Sequence, residues 1–292
     1  MSSTLDLNAH QLNRQSWNAV TGAHNSHKPD QPGFFRAGGS TLFTEEIELV
    51  GDVRGKSFLH LQCNCGQDTL SFAQLGAVTT GVDIGDEAIA FAKNLSIESG
   101  IPGTFIRSDL LEWFPEAAER GEQFDVVFTS YGTIVWLSDL GPWARGIASV
   151  LKSGGRFVYL DFHPMLMMLG DDWTPVYGSI DGAVEEVDEG IGDYVGMMGE
   201  ALAPNGFEEG IKDFKNPHKV VEFGWGVGNI ATALIEAGLT IRTLKEYPYS
   251  NGFAPHAGFR AIGGGRFAMP EGRPAMPMML GIVATNENTA LK

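Results

Sequence analysis

Leu59-His60-Leu61-Gln62-Cys63-Asn64-Cys65-Gly66-Gln67-Asp68-Thr69-Leu70, followed by Val78-Thr79-Thr80-Gly81-Val82-Asp83-Ile84, decides the fold. An apolar run ends in a tight polar turn with one glycine. A helical segment follows, and a second apolar run closes on a carboxylate. That order is the front half of a nucleotide-binding βαβ unit. Its turn is the unusual part. A dinucleotide site normally needs three glycines, so that backbone can approach the pyrophosphate and helix can pack on strand. Here Cys63, Cys65 and Asp68 surround the lone Gly66. Asp68 would stand at the helix start where a diphosphate binds, and two anions there repel. No Gly-x-x-x-x-Gly-Lys-Ser/Thr occurs, and Gly263-Gly264-Gly265 lacks the Lys-Ser/Thr that a phosphate loop requires. The crevice suits a nucleoside ligand without phosphates.

Outward from this stretch, strand and helix patterns alternate. Strands are expected at Ser57–Cys63, Val78–Ile84, Thr104–Ser108, Asp125–Ser130 and Arg156–Phe162, then at Thr240–Glu246 and Met278–Ala284. Helices are expected at Asp68–Leu75, Asp86–Ser99 with Gly100 as its stop, Trp143–Leu151 closed by Ser153-Gly154-Gly155, and Val227–Ala237. The alternation predicts an α/β fold: a doubly wound, Rossmann-like, mostly parallel sheet of seven strands. Residues 164–219 break the rhythm with Met165–Met168 and an acidic, glycine-rich stretch, and are expected to form an inserted lid after the fifth strand. Residues 1–40 read as an N-terminal lid segment, with a helix around Ala9–Val20 and a flexible connector at Gly33–Ser40. The core is then 41–163 with 220–292. Leu42–Leu49 reads as a helix with Glu45, Glu46 and Glu48 solvated, Tyr249–Pro274 as a loop, and Glu185–Glu189 as a solvated acidic loop.

The 292 residues are 43% hydrophobic and 19% charged, with formal net charge −16. A strongly negative surface repels phosphate backbones, so no nucleic-acid partner is expected, and neutral or cationic small molecules are easier to accept. Cys63 and Cys65 are the only cysteines and lack a His/Cys companion cluster. They read as buried reduced thiols rather than a disulfide or zinc site, so no metal is expected. The N-terminus shows no signal-peptide pattern and no apolar run is long enough for a membrane span, which points to a cytoplasmic protein.

These motifs resemble those of class I S-adenosylmethionine-dependent methyltransferases, and more narrowly a bacterial small-molecule group with a Leu-Gln-Cys-x-x-Gly-Gln-Asp-Thr first motif. Further similar pieces are Gly81-Val82-Asp83, Phe128-Thr129-Ser130-Tyr131-Gly132, Asp161-Phe162-His163-Pro164, Ala237-Gly238-Leu239 and Glu246-Tyr247-Pro248. The resemblance covers about residues 40–163, then 220–248 and 278–284. It departs from the usual glycine-rich first motif at Gln62–Cys65. It implies S-adenosylmethionine as cofactor, with Gln62, Cys63, Asn64 and Gly66 along the methionine end. Asp83 and Ile84 would hold the ribose and the adenine edge, and Ser108, Asp109 and Leu110 would border the adenine. Thr129 and Ser130 would lie under the sulfonium, with Tyr131 at the substrate boundary.

Methyl transfer from a sulfonium is an in-line displacement with an activated leaving group, so the protein chiefly aligns the reactants and excludes water. A base matters when the acceptor must lose a proton. His163 is the first candidate, with Tyr131 second and Tyr177, His24 and His27 behind them. Trp17, Trp136, Trp173, Trp225, Phe162 and Tyr177 could line an aromatic substrate pocket, although core packing suits Trp136 and Trp143. The expected activity is transfer of a methyl group to an O or N atom of a small molecule. The alternative is a non-catalytic S-adenosylmethionine-binding sensor or regulatory subunit. Oligomeric state is not legible.

Overall fold

The computed structural model describes residues 6–256 and 258–287. In chain order the helices are α1 (Leu7–Ser26), α2 (Gln31–Arg36), α3 (Thr44–Val50), α4 (Gln67–Gln74), α5 (Asp86–Ser99), α6 (Leu110–Glu119), α7 (Leu140–Val150), α8 (Pro164–Met167), α9 (Tyr194–Met198) and α10 (Val227–Glu236). The strands are β1 (Ser57–Leu61), β2 (Val78–Asp83), β3 (Thr104–Arg107), β4 (Phe124–Ser130), β5 (Leu151–Phe162), β6 (Ala183–Val187), β7 (Val220–Gly224), β8 (Thr240–Tyr247), β9 (Tyr249–Asn251), β10 (Arg260–Gly263), β11 (Arg266–Ala268) and β12 (Met279–Thr285).

Seven strands form the main sheet in the order β3-β2-β1-β4-β5-β12-β8. The first five are parallel; β12 runs antiparallel to both β5 and β8. This is the expected doubly wound, Rossmann-like sheet. Strand order reverses between β1 and β4, and open α/β sheets bind ligands in the crevice at such a reversal.

Side-chain alternation explains the two covered faces. Leu59, Leu61, Val127, Phe157 and Tyr159 point to one face and pack with Trp113 of α6 and Trp143 of α7. Phe58, Phe128, Val158 and Leu160 point to the other and pack with Phe72 of α4 and with Leu49 and Val50 of α3. Central strands buried on both faces must be continuous apolar runs, as Phe58–Leu61 and Val126–Phe128 nearly are. His60 is the exception in β1, and its Nδ1 lies 2.8 Å from the Thr69 hydroxyl. Among the described residues, no helix is long and apolar enough to cross a membrane.

Several local expectations change. The N-terminal helix extends to Ser26 because its inner face is polar: Asn13, Ser16 and His24 are buried there by hydrogen bonding, which apolar periodicity does not register. The expected connector Gly33–Ser40 overlaps α2, which starts at Gln31 and is capped by the Asp30 side chain. Ser153-Gly154-Gly155 lies within β5 rather than closing α7. The stretch expected as a loop after Tyr249 contains a three-stranded sheet, β10-β11-β9. α6 carries Pro115 inside it and went unread. Within the insertion, β6 pairs with β7, so Glu185 and Glu186 lie on a strand. Glu45 and Glu46 are buried, at 5% and 1% exposure, while Glu48 is exposed.

Gly66 caps α4 with φ 74°, and a Cβ there would stand 2.6 Å from Phe105 Cε1 and 2.8 Å from Ala92 Cβ. Left-handed strain and overpacking together should make Gly66→Ala about 2–3 kcal/mol less stable. Urea unfolding checks this, and an unshifted midpoint would contradict it.

Candidate active site

A cavity of about 1410 Å³ opens at the carboxyl ends of β1, β2 and β4. Small-molecule pockets usually span roughly 300–1,000 Å³, so this cavity is larger than one ligand usually needs. Its wall is closed by α1, by the insertion around Ile191–Leu202, and by the small sheet near Arg266.

One half is built by the turn after β1. Gln62, Asn64 and Gly66 take φ values of 52°, 47° and 74°. This alternation turns backbone amides toward the end of β2. The Asn64 N–H donates to Asp83 Oδ2 at 2.8 Å and the Gly85 N–H to Asp83 Oδ1 at 2.8 Å. Gly85 is the N-cap of α5, without a side-chain cap. Asp83 therefore serves the turn rather than the helix. A carboxylate has about four acceptor sites, so these backbone donors leave capacity for a ligand hydroxyl. Burial raises the Asp83 carboxyl, with the backbone donors pulling it back.

Gln62 donates to the Thr133 carbonyl at 2.9 Å, which fixes its amide; its buried Oε1 has no partner. Lys28, just beyond α1, also lines this half. Its ammonium makes no side-chain hydrogen bond or ion pair among the described residues, and burial lowers its pKa against the opposing pull of Cys65 and Asp68. An unpaired acceptor and an unpaired cation beside a turn of amides match the amino and carboxylate groups of an amino acid. With the acceptor capacity at Asp83, the donor set fits S-adenosylmethionine. Lys28 was missed because a lone lysine after a polar helix carries no sequence signal.

The structure brings Gln62, Cys63, Asn64, Asp83, Ile84, Ser108, Asp109, Leu110, Ser130 and Tyr131 to the cavity wall. Gly66 and Thr129 stand behind it; Thr129 is buried, and its hydroxyl donates to Thr133 Oγ1 at 3.2 Å. Asp109 is already engaged, with His10 Nδ1 2.7 Å from its carboxylate and the Leu111 N–H donating at 2.8 Å. His10 Nε2 in turn meets the Ser138 hydroxyl at 3.0 Å, so α1 is fastened to the rim. Both cysteines are free and buried. Burial pushes the Cys65 thiol up to about 11 and raises Cys63 well above its ordinary value, which disfavours thiolate chemistry.

His163 is not in the wall. It caps α8 by accepting the Met165 N–H and pairs with Glu246 Oε1 at 3.0 Å; burial lowers its pKa. Its position after β5 is spent on that cap, so this geometry does not present it as a base. His24 and His27 are buried rather than superficial. His24 lines the cavity with its pKa lowered to about 4 by burial, and His27 is held 2.7 Å from Asp193. Trp17, Trp136 and Phe162 line the cavity; Trp173, Trp225 and Tyr177 do not. Trp143 is core, as expected.

The other half holds the group that sequence reading placed in solvent. Glu46 accepts the Phe43 N–H through Oε2, and its Oε1 is buried without a partner. Burial, reinforced by Asp68, raises its carboxyl well above the ordinary value. Tyr131 lies beside it, its hydroxyl accepting from Asn251 Nδ2 at 2.9 Å. Glu45, by contrast, is fully engaged by Arg266 at 2.9 Å, Tyr249 at 2.7 Å and Asn251 at 3.1 Å.

Residues 58–155 match the methyltransferase domain family. A ubiquinone biosynthesis O-methyltransferase of Proteus mirabilis is 35% identical over 112 residues, covering 38% of this chain and 44% of the relative. The Escherichia fergusonii protein of the same name is 33% identical over 108 residues, covering 37% and 43%. The matched stretch thus spans less than half of these relatives. A putative S-adenosylmethionine-dependent methyltransferase from Listeria monocytogenes superposes with TM-score 0.52 at 16% identity over 82% of this chain and 95% of that one. One from Mesorhizobium loti gives 0.50 at 18% over 82% and 94%. Residues 58–155 are thus similar to a methyltransferase domain, and the chain shares its fold with these solved S-adenosylmethionine-dependent methyltransferases.

The raised Glu46 carboxyl has a consequence for stability. The fold favours its protonated form, so that stabilisation is complete below the ordinary 4.5 and is lost as pH rises through the raised value. The unfolding free energy of the native protein relative to Glu46→Gln should fall as pH increases above that ordinary value. Urea titrations across the range check this, and a flat difference would contradict it.

Proposed function

We propose that the protein is an S-adenosylmethionine-dependent methyltransferase acting on an oxygen or nitrogen atom of a small-molecule acceptor. The observation that carries this reading is the Asn64–Asp83 tie, which sets a carboxylate with remaining acceptor capacity next to a phosphate-averse turn. When bound, S-adenosylmethionine supplies a methyl carbon on a positively charged sulfur that leaves as a neutral thioether.

The chain's own residues do the holding. Gln62 Oε1 accepts from the amino group and Lys28 meets the carboxylate. Asp83 takes the ribose hydroxyls, while Ile84, Ser108 and Leu110 flank the base. Residues 6–40 and the insertion 164–219 act as a lid on the core. Asn13 joins α1 to β7 by two hydrogen bonds with Val221, both 2.8 Å, and His24 joins it to the insertion through the Gly192 carbonyl at 3.1 Å. A closed wall excludes water and fixes reactants at close range, which is most of what such a displacement requires.

The relatives' names favour oxygen as the acceptor atom, since the Proteus mirabilis protein is an O-methyltransferase. A glycopeptide N-methyltransferase solved with S-adenosylmethionine, at TM-score 0.50 and 13% identity, carries the other chemistry on the same fold.

Calorimetry with S-adenosylmethionine and S-adenosylhomocysteine tests the binding half. Asp83→Ala should weaken both by about 1.5–3 kcal/mol, the cost of losing charge-assisted hydrogen bonds. Unchanged affinity would remove Asp83 from the ribose site. Methyl-labelled cofactor with a metabolite panel tests the transfer half: label should move to an acceptor, and tight binding without transfer to any acceptor would instead support a sensor.

A further inference from the structure

Among the described residues, Glu46 is a carboxyl of the acceptor half with a buried oxygen that has no assigned task. It is 1% exposed, lines the cavity, and leaves Oε1 without a hydrogen-bond partner. An unsatisfied buried polar atom is costly, and such atoms persist where a ligand satisfies them.

The charges around it define what that ligand is. Asp68 of α4 and Glu45 of its own helix both act on Glu46 as like charges. Arg266 of β11 is committed to Glu45, and Lys28 acts on Asp68 from the cofactor side. Tyr131, after β4, is the remaining titratable neighbour; burial with these carboxylates keeps its phenol protonated, and that phenol stands within hydrogen-bonding reach of the Glu46 carboxyl, which a ligand at Oε1 would share with it. An anionic acceptor would add a further like charge, and a neutral hydroxyl would leave the repulsion in place. A cation relieves it.

Beside Glu46 runs a row of rings. Phe43 meets Tyr131 edge-on at 6.4 Å, Tyr131 meets Phe162 at 5.6 Å, and Phe162 meets Phe253 at 5.1 Å. All four line the cavity. Such a row receives an aryl or alkyl body, and its ring faces attract a cation.

We propose that Glu46 receives the ammonium group of an arylalkylamine-type acceptor, whose apolar body lies along Phe43, Tyr131, Phe162 and Phe253. This deepens the methyltransferase reading and rests on it. The amine enters as the free base and takes the Glu46 proton, which makes the ammonium–carboxylate pair; that proton then returns, so that an N–H bond breaks, an O–H bond re-forms on Oε1, and the electron pair stays on nitrogen as the lone pair that methylation requires. Glu46 is suited to this exchange because its protonated form is favoured by burial.

The test begins with titration of S-adenosylhomocysteine. Ligand-observed NMR on the S-adenosylhomocysteine-treated protein then compares 2-phenylethylamine, 2-phenylethanol and 3-phenylpropionate. The amine should bind about ten-fold tighter than the alcohol, the scale of one charge-assisted hydrogen bond, with the carboxylate weakest. Glu46→Gln keeps an oxygen for the Phe43 N–H and should erase the preference, whereas Glu48→Gln, exposed on the same helix, should retain it. Equal binding of amine and alcohol, a preference that survives Glu46→Gln, or no binding by any probe would overturn the proposal. The native comparison needs no variant to fold. Cofactor binding without amine preference sinks this inference alone; amine preference without cofactor binding sinks the methyltransferase reading and, with it, the amine's role as methyl acceptor.

Discussion

The Asp83 carboxylate is the tie on which the site depends. It gathers the Asn64 and Gly85 amides, joining the turn after β1 to the start of α5. Without that acceptor, the left-handed residues of the turn would leave a buried N–H unsatisfied, at a cost of about 1–3 kcal/mol. The parallel register of β1 on β2 brings the two strand ends together, with Leu61 opposite Val82. Fold and binding chemistry meet in one side chain: the sheet delivers the carboxylate, the carboxylate orders the turn, and the turn shapes the crevice.

Around that tie the wall is polar and hydrogen-bonded rather than greasy. The Asn25 amide of α1 donates to Cys65 Sγ at 3.1 Å and accepts at its oxygen from Gln67 at 3.1 Å. His10 reaches Asp109 and Ser138 on the opposite rim. Directional contacts of this kind fix how α1 sits on the rim, although the net worth of each hydrogen bond is small. The acceptor half differs in character, pairing rings with buried carboxyls. The proposed reading gives these two halves separate tasks, gripping a polar nucleoside and admitting an apolar, charge-bearing partner.

The central fold was legible because parallel strands announce themselves as apolar runs and Gly100 stops α5 in the left-handed region where it was expected. Asp83 was legible for the same reason, since it ends a run. What stayed hidden follows one rule. Glu46 and Lys28 are charged side chains whose burial comes from distant segments, and a local pattern assigns charged residues to solvent. α1 was shortened because its inner face buries Asn13 and His24, not leucines. His163 was overvalued because its position after β5 is visible in sequence, whereas its cap on α8 and its Glu246 partner are not. The small sheet of β9, β10 and β11 was lost among glycines that read as loop.

A crystal structure of the protein soaked with S-adenosylhomocysteine tests the central claim most directly. It should show both ribose hydroxyls on the Asp83 carboxylate and the amino-acid end between Gln62 and Lys28. A nucleoside bound elsewhere, or a ribose that bypasses Asp83, would contradict the account.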